Sequence, residues 1–288
     1  MLFVLSPAKT LDESPVAPSA PKATTPIFAA EADTLAGALA CLPLETLRTV
    51  LGVSPPLASL NHRRYTNWSS AKTKQAVFAF DGPAYKALDA GTLSAEQLAY
   101  VQAHLRVLCG LYGIVRPLDG LKPYRLEMGT KLKGTKLKEA DLYAFWGDRV
   151  AKAVRDSVAE MPSGTKCIVN VASQEYYAVI KPHLAAIGTP VVTCVFPGAT
   201  VYAKAARGGI VRYAAVTGAK TPADLRGFTG ASGEWRFVPG QSTDNELVFH
   251  RGGGGPSKAP AKRVAAAADD DEGEDGAAVA KKPARRRT

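Results

Sequence analysis

A mixed α/β fold with a central mixed sheet is what this chain predicts. Three observations point to it. Short, continuously apolar runs bounded by turn residues read as buried strands, and longer stretches with apolar residues every three to four positions read as helices. The two kinds interleave along the chain without an internal repeat. The interleaving is irregular, so no standard doubly wound strand order is expected.

Residues 2–5 (LFVL) open the fold as a short buried strand. Residues 13–27, rich in Pro, Ala, Ser and Thr, read as a surface loop. Further strands are expected at 76–80 (AVFAF), 167–171 (CIVNV), 191–196 (VVTCVF) and 246–250 (ELVFH). The best helix covers 94–109: Ser94 and Gln97 fit a capping box, Leu98, Val101, Leu105 and Leu108 line one face, and Gly110 fits the stop. A second helix is expected over 141–161 on a stripe of Leu142, Phe145, Val150, Val154 and Val158, and a third over 200–216, interrupted by Gly208 and Gly209. After Arg251 the composition turns to Gly, Ala, Pro and segregated charge with no aromatic residue, so a folded domain is assigned to 1–251 and a disordered basic tail to 252–288.

The formal net charge is +10. From Arg251 to Thr288 there are nine Lys/Arg and six Asp/Glu, which leaves the body at +7. A basic body favours anionic partners such as nucleic acid. No run approaches the roughly 18 apolar residues of a membrane span. The opening MLFVLSP is too short for a signal peptide and has no basic lead-in, so a cytoplasmic protein is expected. The four cysteines form no CxxC or Cys/His cluster, and His62, His104, His183 and His250 form no local pair, so no metal site is expected. Cys109, Cys167 and Cys194 sit in apolar runs and read as buried reduced thiols, the alternative being a redox-sensing thiol. No motif calls for a cofactor.

The densest polar and aromatic stretch is 104–130. It carries Arg106, Arg116, Lys122 and Arg125 with Tyr112 and Tyr124, and the acids Asp119 and Glu127. Guanidinium groups fork onto phosphate and tyrosines stack on bases, which is what a nucleic-acid groove needs. The competing reading is an ordinary loop in which Arg116 pairs Asp119 and Arg125 pairs Glu127. Gly110 and Gly113 flank two larger residues after the expected helix, as in the hairpin of a helix-hairpin-helix motif that holds a DNA phosphate. Ser6 and Lys9 follow the first strand, and strand ends are common ligand sites in α/β proteins. The glycines of a phosphate-binding P-loop are absent there. Asn170, Ser173 and Glu175 follow another strand and could face the same cleft, although Ser173 also fits a helix N-cap. Lys204 and Arg207, three apart on a helix, form a small basic patch with Arg212 nearby.

Six blocks carry a family resemblance: MLFVLSPAKTLD, HLRVLCGLYGIVRPLDGLKPYRLEMG, DLYAFWGD, NVASQEYY, YAKAARG and NELVFHR, in that order. Over residues 1–251 the chain resembles the YaaA family of peroxide-stress proteins. The resemblance implies a cytosolic protein of the oxidative-stress response with a family-specific fold, a basic cleft and a helix-hairpin-helix-like DNA-binding element. It also implies a link to DNA repair and to limiting iron-linked damage. Two positions depart from the family pattern. Gly82-Pro83-Ala84-Tyr85 stands where the family has Gly-Asp-Val-Tyr, and the stretch between Phe196 and Tyr202 is shortened. The leading expectation is binding to duplex or branched DNA through backbone and shape. An enzyme acting on a nucleobase or nucleotide, using Lys9 with Asp119, Glu127 or Glu175, is the alternative. Iron or haem handling is a third reading, without a visible ligand motif.

Overall fold

The computed structural model describes residues 1–17 and 19–252. The first strand, β1 (Leu2–Leu5), is wholly buried, and β2 (Thr10–Leu11) follows it. Three helices come next: α1 (Ala29–Ala40), α2 (Leu44–Leu51) and α3 (Pro55–Thr66). Short elements β3 (Lys74–Gln75), α4 (Ala76–Ala79), β4 (Phe80–Asp81) and α5 (Pro83–Leu88) then lead to α6 (Ala95–His104). The chain continues through β5 (Leu105–Cys109), β6 (Gly113–Val115), β7 (Gly120–Leu121), α7 (Leu142–Trp146), α8 (Arg149–Ala159) and β8 (Ile168–Asn170). It closes with α9 (Gln174–Tyr177), α10 (Leu184–Ile187), β9 (Val191–Val195), α11 (Thr200–Thr217), β10 (Trp235–Phe237) and β11 (Glu246–Arg251).

Seven strands form the central sheet in the order β10-β11-β9-β8-β1-β5-β6. The five inner strands are parallel, while β6 and β10 run antiparallel at the two edges. Strands of a parallel core are buried on both faces, which is why LFVL and LRVLC read as continuous rather than alternating runs. The chain goes from β1 to β5 and β6 on one side, then returns to β8 on the other side and continues to β9 and β11. The strand order therefore reverses between β1 and β8, as in doubly wound sheets. The irregular spacing of the sequence elements hid this, because about a hundred residues and six helices lie between β1 and its partner β5.

Four expected elements need correction. Residues 76–79 are helical, and only Phe80–Asp81 pairs as a strand, against β2. The capping box of Ser94 and Gln97 is present, but the helix ends at His104. Residues 105–109 leave it for the sheet, with Phe3 opposite Leu105, so pairing with β1 overrides the helical period. Gly110 and Gly113 consequently join two antiparallel strands, and no helix-hairpin-helix is built around them. The helix expected over 141–161 is two helices, broken at Gly147, whose φ of 51° is a left-handed-region value. By contrast, α11 passes Gly208 and Gly209 without interruption. The tail assigned to 252–288 lies outside the described residues apart from Gly252.

Candidate functional site

The carboxyl ends of β1 and β8 meet at the reversal point of the sheet, the usual ligand position of open α/β folds. Ser6 follows β1 and Ser173 follows β8. The Ser6 hydroxyl donates to Ser173 Oγ at 3.2 Å and accepts the Ser173 N–H at 2.9 Å. The Tyr85 hydroxyl donates to the Ser6 carbonyl at 2.9 Å and so ties α5 to this turn. Asn170, at the end of β8, is buried; its Oδ1 accepts the Ala172 N–H at 3.0 Å. Three residues that the sequence singled out, Ser6, Asn170 and Ser173, thus share one strand-end turn system with Tyr85, and Asn170 and Ser173 shape its backbone.

A charged rim lies beside it. Lys9 Nζ is 3.6 Å from Glu127 Oε2, and Arg125 Nη2 is 2.8 Å from Glu127 Oε1. Glu127 therefore sits between two cations. Glu175 Oε1 accepts the Gly129 N–H at 2.8 Å, and the Glu175 carbonyl accepts the Tyr143 hydroxyl at 2.9 Å. Burial, with Glu175 close by, pushes the Tyr143 phenol up to about 12, so it stays a proton donor. Glu127 and Glu175 both line a cavity of about 720 Å³ whose other wall is α2, from Thr46 to Gly52.

Helices α2 and α3 are packed together and joined by a short turn. Gly52 adopts φ 61°, and Pro55 and Pro56 begin α3 at the exposed tip. The pair is fixed to the rim because the Tyr65 hydroxyl, on α3, donates to the Arg125 carbonyl at 2.7 Å. Its sequence signal was Leu47 and Leu51 in register, then Gly52 as a C-terminal stop, then Ser54-Pro55 as a start. That signal is faint in function-bearing residues, because 44–66 holds few aromatic or clustered charged residues until its end.

The other expected site residues lie elsewhere. Arg106 is buried: its Nε donates to Ser157 Oγ at 3.1 Å and its Nη1 donates to the carbonyls of Gln102, Ala103 and Leu105. It serves as a cationic cap on the end of α6 and cannot reach a phosphate. Tyr112 and Tyr124 are also buried, in edge contact with each other at 5.7 Å, and so offer no face to a base. The Tyr124 hydroxyl lies 2.8 Å from Cys109 Sγ, and burial pushes that thiol up to about 11. Burial likewise raises Cys167 and Cys194, which removes all three from the reactive range, whereas Cys41 is exposed. Gly110 and Gly113 are packing positions: a Cβ on Gly110 would overlap the Leu126 carbonyl, and one on Gly113 would press on Trp146 at 2.9 Å.

Asp119 is fully buried and accepts from the Arg116 N–H at 2.8 Å, the Thr24 hydroxyl at 2.6 Å and the Arg116 guanidinium at 3.0 Å. The Arg116–Asp119 pair is therefore internal, and Asp119 does not join Glu127. Lys204 and Arg207 are half-buried on α11 and already engaged by neighbours. Arg212 donates to the carbonyls of Leu88 and Asp89. Among the described residues no group of three or more His, Cys, Asp or Glu is placed to hold a metal ion. No helix among them is long and apolar enough to cross a membrane.

Comparison with known proteins places these features in a lineage. The family model described as peroxide stress protein YaaA matches residues 1–240. A UPF0246 protein of Burkholderia ambifaria is 42% identical over 263 residues, covering 87% of this chain and 98% of the relative. Another, from Janthinobacterium sp. (strain Marseille), is 44% identical over 263 residues with the same coverage.

Proposed function

The chain belongs to the family of the peroxide stress protein YaaA, and from that premise we propose that it serves the oxidative-stress response by binding DNA. The binding is to duplex or branched DNA, through backbone and shape, and limits oxidative, iron-linked damage. One observation carries the reading: the α2–α3 helix pair, whose tip is exposed, is hydrogen-bonded through Tyr65 in the last turn of α3 to a rim where Lys9 and Arg125 flank Glu127 beside the reversal point of the sheet. Such a tip gives a DNA backbone a convex contact, and the rim supplies positive charge across the cavity that Gly52 and Glu127 both line. Pro55 and Pro56 carry no N–H, so the grip falls on side chains more than on the amide groups of α3. The +7 body supplies the long-range attraction.

The test is fluorescence anisotropy with a labelled duplex over a salt series. A complex that weakens steeply with salt is expected, because neutralised phosphates release counterions. Substituting Lys9→Gln and Arg125→Gln together should weaken it and flatten the salt slope by about one to two units. Absence of a complex at low salt overturns the reading. A second reading, an enzyme acting on a nucleobase or nucleotide, draws on Glu127 and Glu175 lining one cavity with Lys9 beside Glu127. Loss of nucleotide substrate in a product assay, abolished by Glu175→Gln, would favour it.

A further inference from the structure

A second cavity, of about 680 Å³, lies on the flank of α3, between that helix, the 11–16 segment and the 70–74 segment. Four cations line it, Arg63, Arg64, Lys72 and Lys74, against two acids, Asp12 and Glu13. The acids are already used. Lys74 Nζ donates to Asp12 Oδ2 at 2.9 Å and to the Ser14 carbonyl at 2.8 Å, and Arg64 Nη2 donates to Glu13 Oε1 at 2.5 Å. The hydrogen bond from Lys74 holds the Asp12 carboxyl down near about 2, so the pair stays charged at neutral pH. What remains is a surplus of two cations. Among the described residues neither Arg63 nor Lys72 has an ion-pair partner, and Arg64 Nε is buried without an acceptor. Arg64 is already spent, through Nη2 on Glu13 and through Nη1 on Asn61 Oδ1 at 3.0 Å, so the guanidinium left to favour an oxyanion is that of Arg63. Ser14, Asn67, Ser70 and Thr73 add neutral hydrogen-bonding groups to the walls. No aromatic residue lines the cavity, so nothing there stacks a base or another ring.

We infer that this cavity is a phosphate-binding site, in which Arg63 and Lys72 hold a phosphate group while Arg64 and Lys74, paired with Glu13 and Asp12, fix the wall. The ligand is read by its anionic group, because the walls carry donors and positive charge and no stacking surface. A free phosphorylated small molecule and a nucleic-acid backbone are two sources of that chemistry. The site does not depend on the DNA reading, since it shares no lining residue with the α2 cavity and needs no duplex.

The experiment is isothermal titration of the full chain with sodium pyrophosphate, repeated on the Arg63→Gln/Lys72→Gln double variant. Both positions are exposed, so the variant should melt with the wild type. Saturable binding by the wild type and at least a tenfold loss in the variant is expected. A Lys152→Gln variant, on distant α8, should bind as the wild type does. Equal affinity in wild type and double variant, or no saturable heat at all, overturns the proposal. A second arm separates the sources. If pyrophosphate competes with a labelled duplex and the double variant loses duplex affinity, the phosphate is that of nucleic acid. If pyrophosphate binding is lost but duplex binding is unchanged, the site takes a free phosphorylated ligand. If no duplex binds at all, the DNA reading fails while the titration still decides this site.

Discussion

At the scale of single residues, burial separates the cations that hold the fold from those left for a partner. Arg116 is one-third exposed, but its partner Asp119 is fully buried. Truncating the arginine leaves a carboxylate that keeps only the Thr24 hydroxyl and the N–H of residue 116. Arg116→Ala should therefore cost about 3 kcal/mol, the low end for breaking a buried pair, and leave DNA affinity unchanged. Urea denaturation beside anisotropy checks both halves; a normal melt with lost DNA binding would return Arg116 to the site. His104 gives a pH signature. Burial lowers its pKa below 6.5, partly offset by the Met1 carbonyl 2.8 Å from Nδ1, while the chain's amino terminus and Arg106 add repulsion. Tyr100, stacked on the ring at 4.1 Å, is uncharged at neutral pH, as an ordinary phenol is, and burial raises it further. The unfolded chain thus takes up the proton more readily than the folded one. The stabilising contribution is complete above pH 6.5 and falls as pH drops below it. Melting temperatures from pH 8 to pH 5 should decline, and His104→Gln should flatten that decline. An identical pH slope in the variant would show that other groups set it.

Elements were legible where one local rule acted alone. The Ser94–Gln97 box marked the start of α6, and LFVL marked β1, because capping and continuous apolarity need only nearby residues. The end of α6 was not legible. Leu105 and Leu108 continue the helical stripe in sequence, yet β1, a hundred residues away, takes them as a strand. The candidate site was half legible for the same reason. Ser6, Lys9, Asn170, Ser173 and Glu175 stood out at strand ends, but Glu127 and Arg125 join them only through the crossover of the sheet. The glycines of α11 were expected to break it, and the reason they do not is tertiary. A Cβ on Gly208 would overlap the Ala84 carbonyl of α5, whereas one on Gly209 would meet Phe228 at 3.4 Å, an ordinary contact. Alanine removes a helix-interior cost of about 1 kcal/mol at either position. At 208 the clash outweighs that gain, so Gly208→Ala should destabilise by about 1–3 kcal/mol. Gly209→Ala should be neutral or stabilising by up to about 1 kcal/mol. Equal effects in denaturant melts would mean that α5 and α11 are not in close contact at Gly208.

For the whole molecule the DNA-binding proposal turns on how residues 1–251, at a net +8, and residues 252–288, at +2, divide the attraction to phosphate. The tail ends in Lys281, Lys282, Arg285, Arg286 and Arg287, but an acidic run from Asp269 to Asp275 precedes them. Its six acids offset six of the eight cations in 252–288. Each phosphate contact contributes a salt slope of about −0.9, so a tail that bound with all five terminal cations would add about −4.5. Competition by the six acids should reduce this to about one or two contacts. Removing residues 252–288 should then leave the denaturation midpoint unchanged and cut duplex affinity about three- to tenfold at low salt. The salt slope should become shallower by one or two units. The body would keep the larger share, because its cations are held at fixed spacing on a folded surface and lose less freedom when they meet phosphate. Measuring the slope for the full chain and for residues 1–251 side by side decides the division. If the truncated chain shows no binding, the tail is the DNA-binding part and the α2–α3 tip with its rim is not. If the two slopes coincide, the tail is silent and the folded body accounts for all the phosphate contacts.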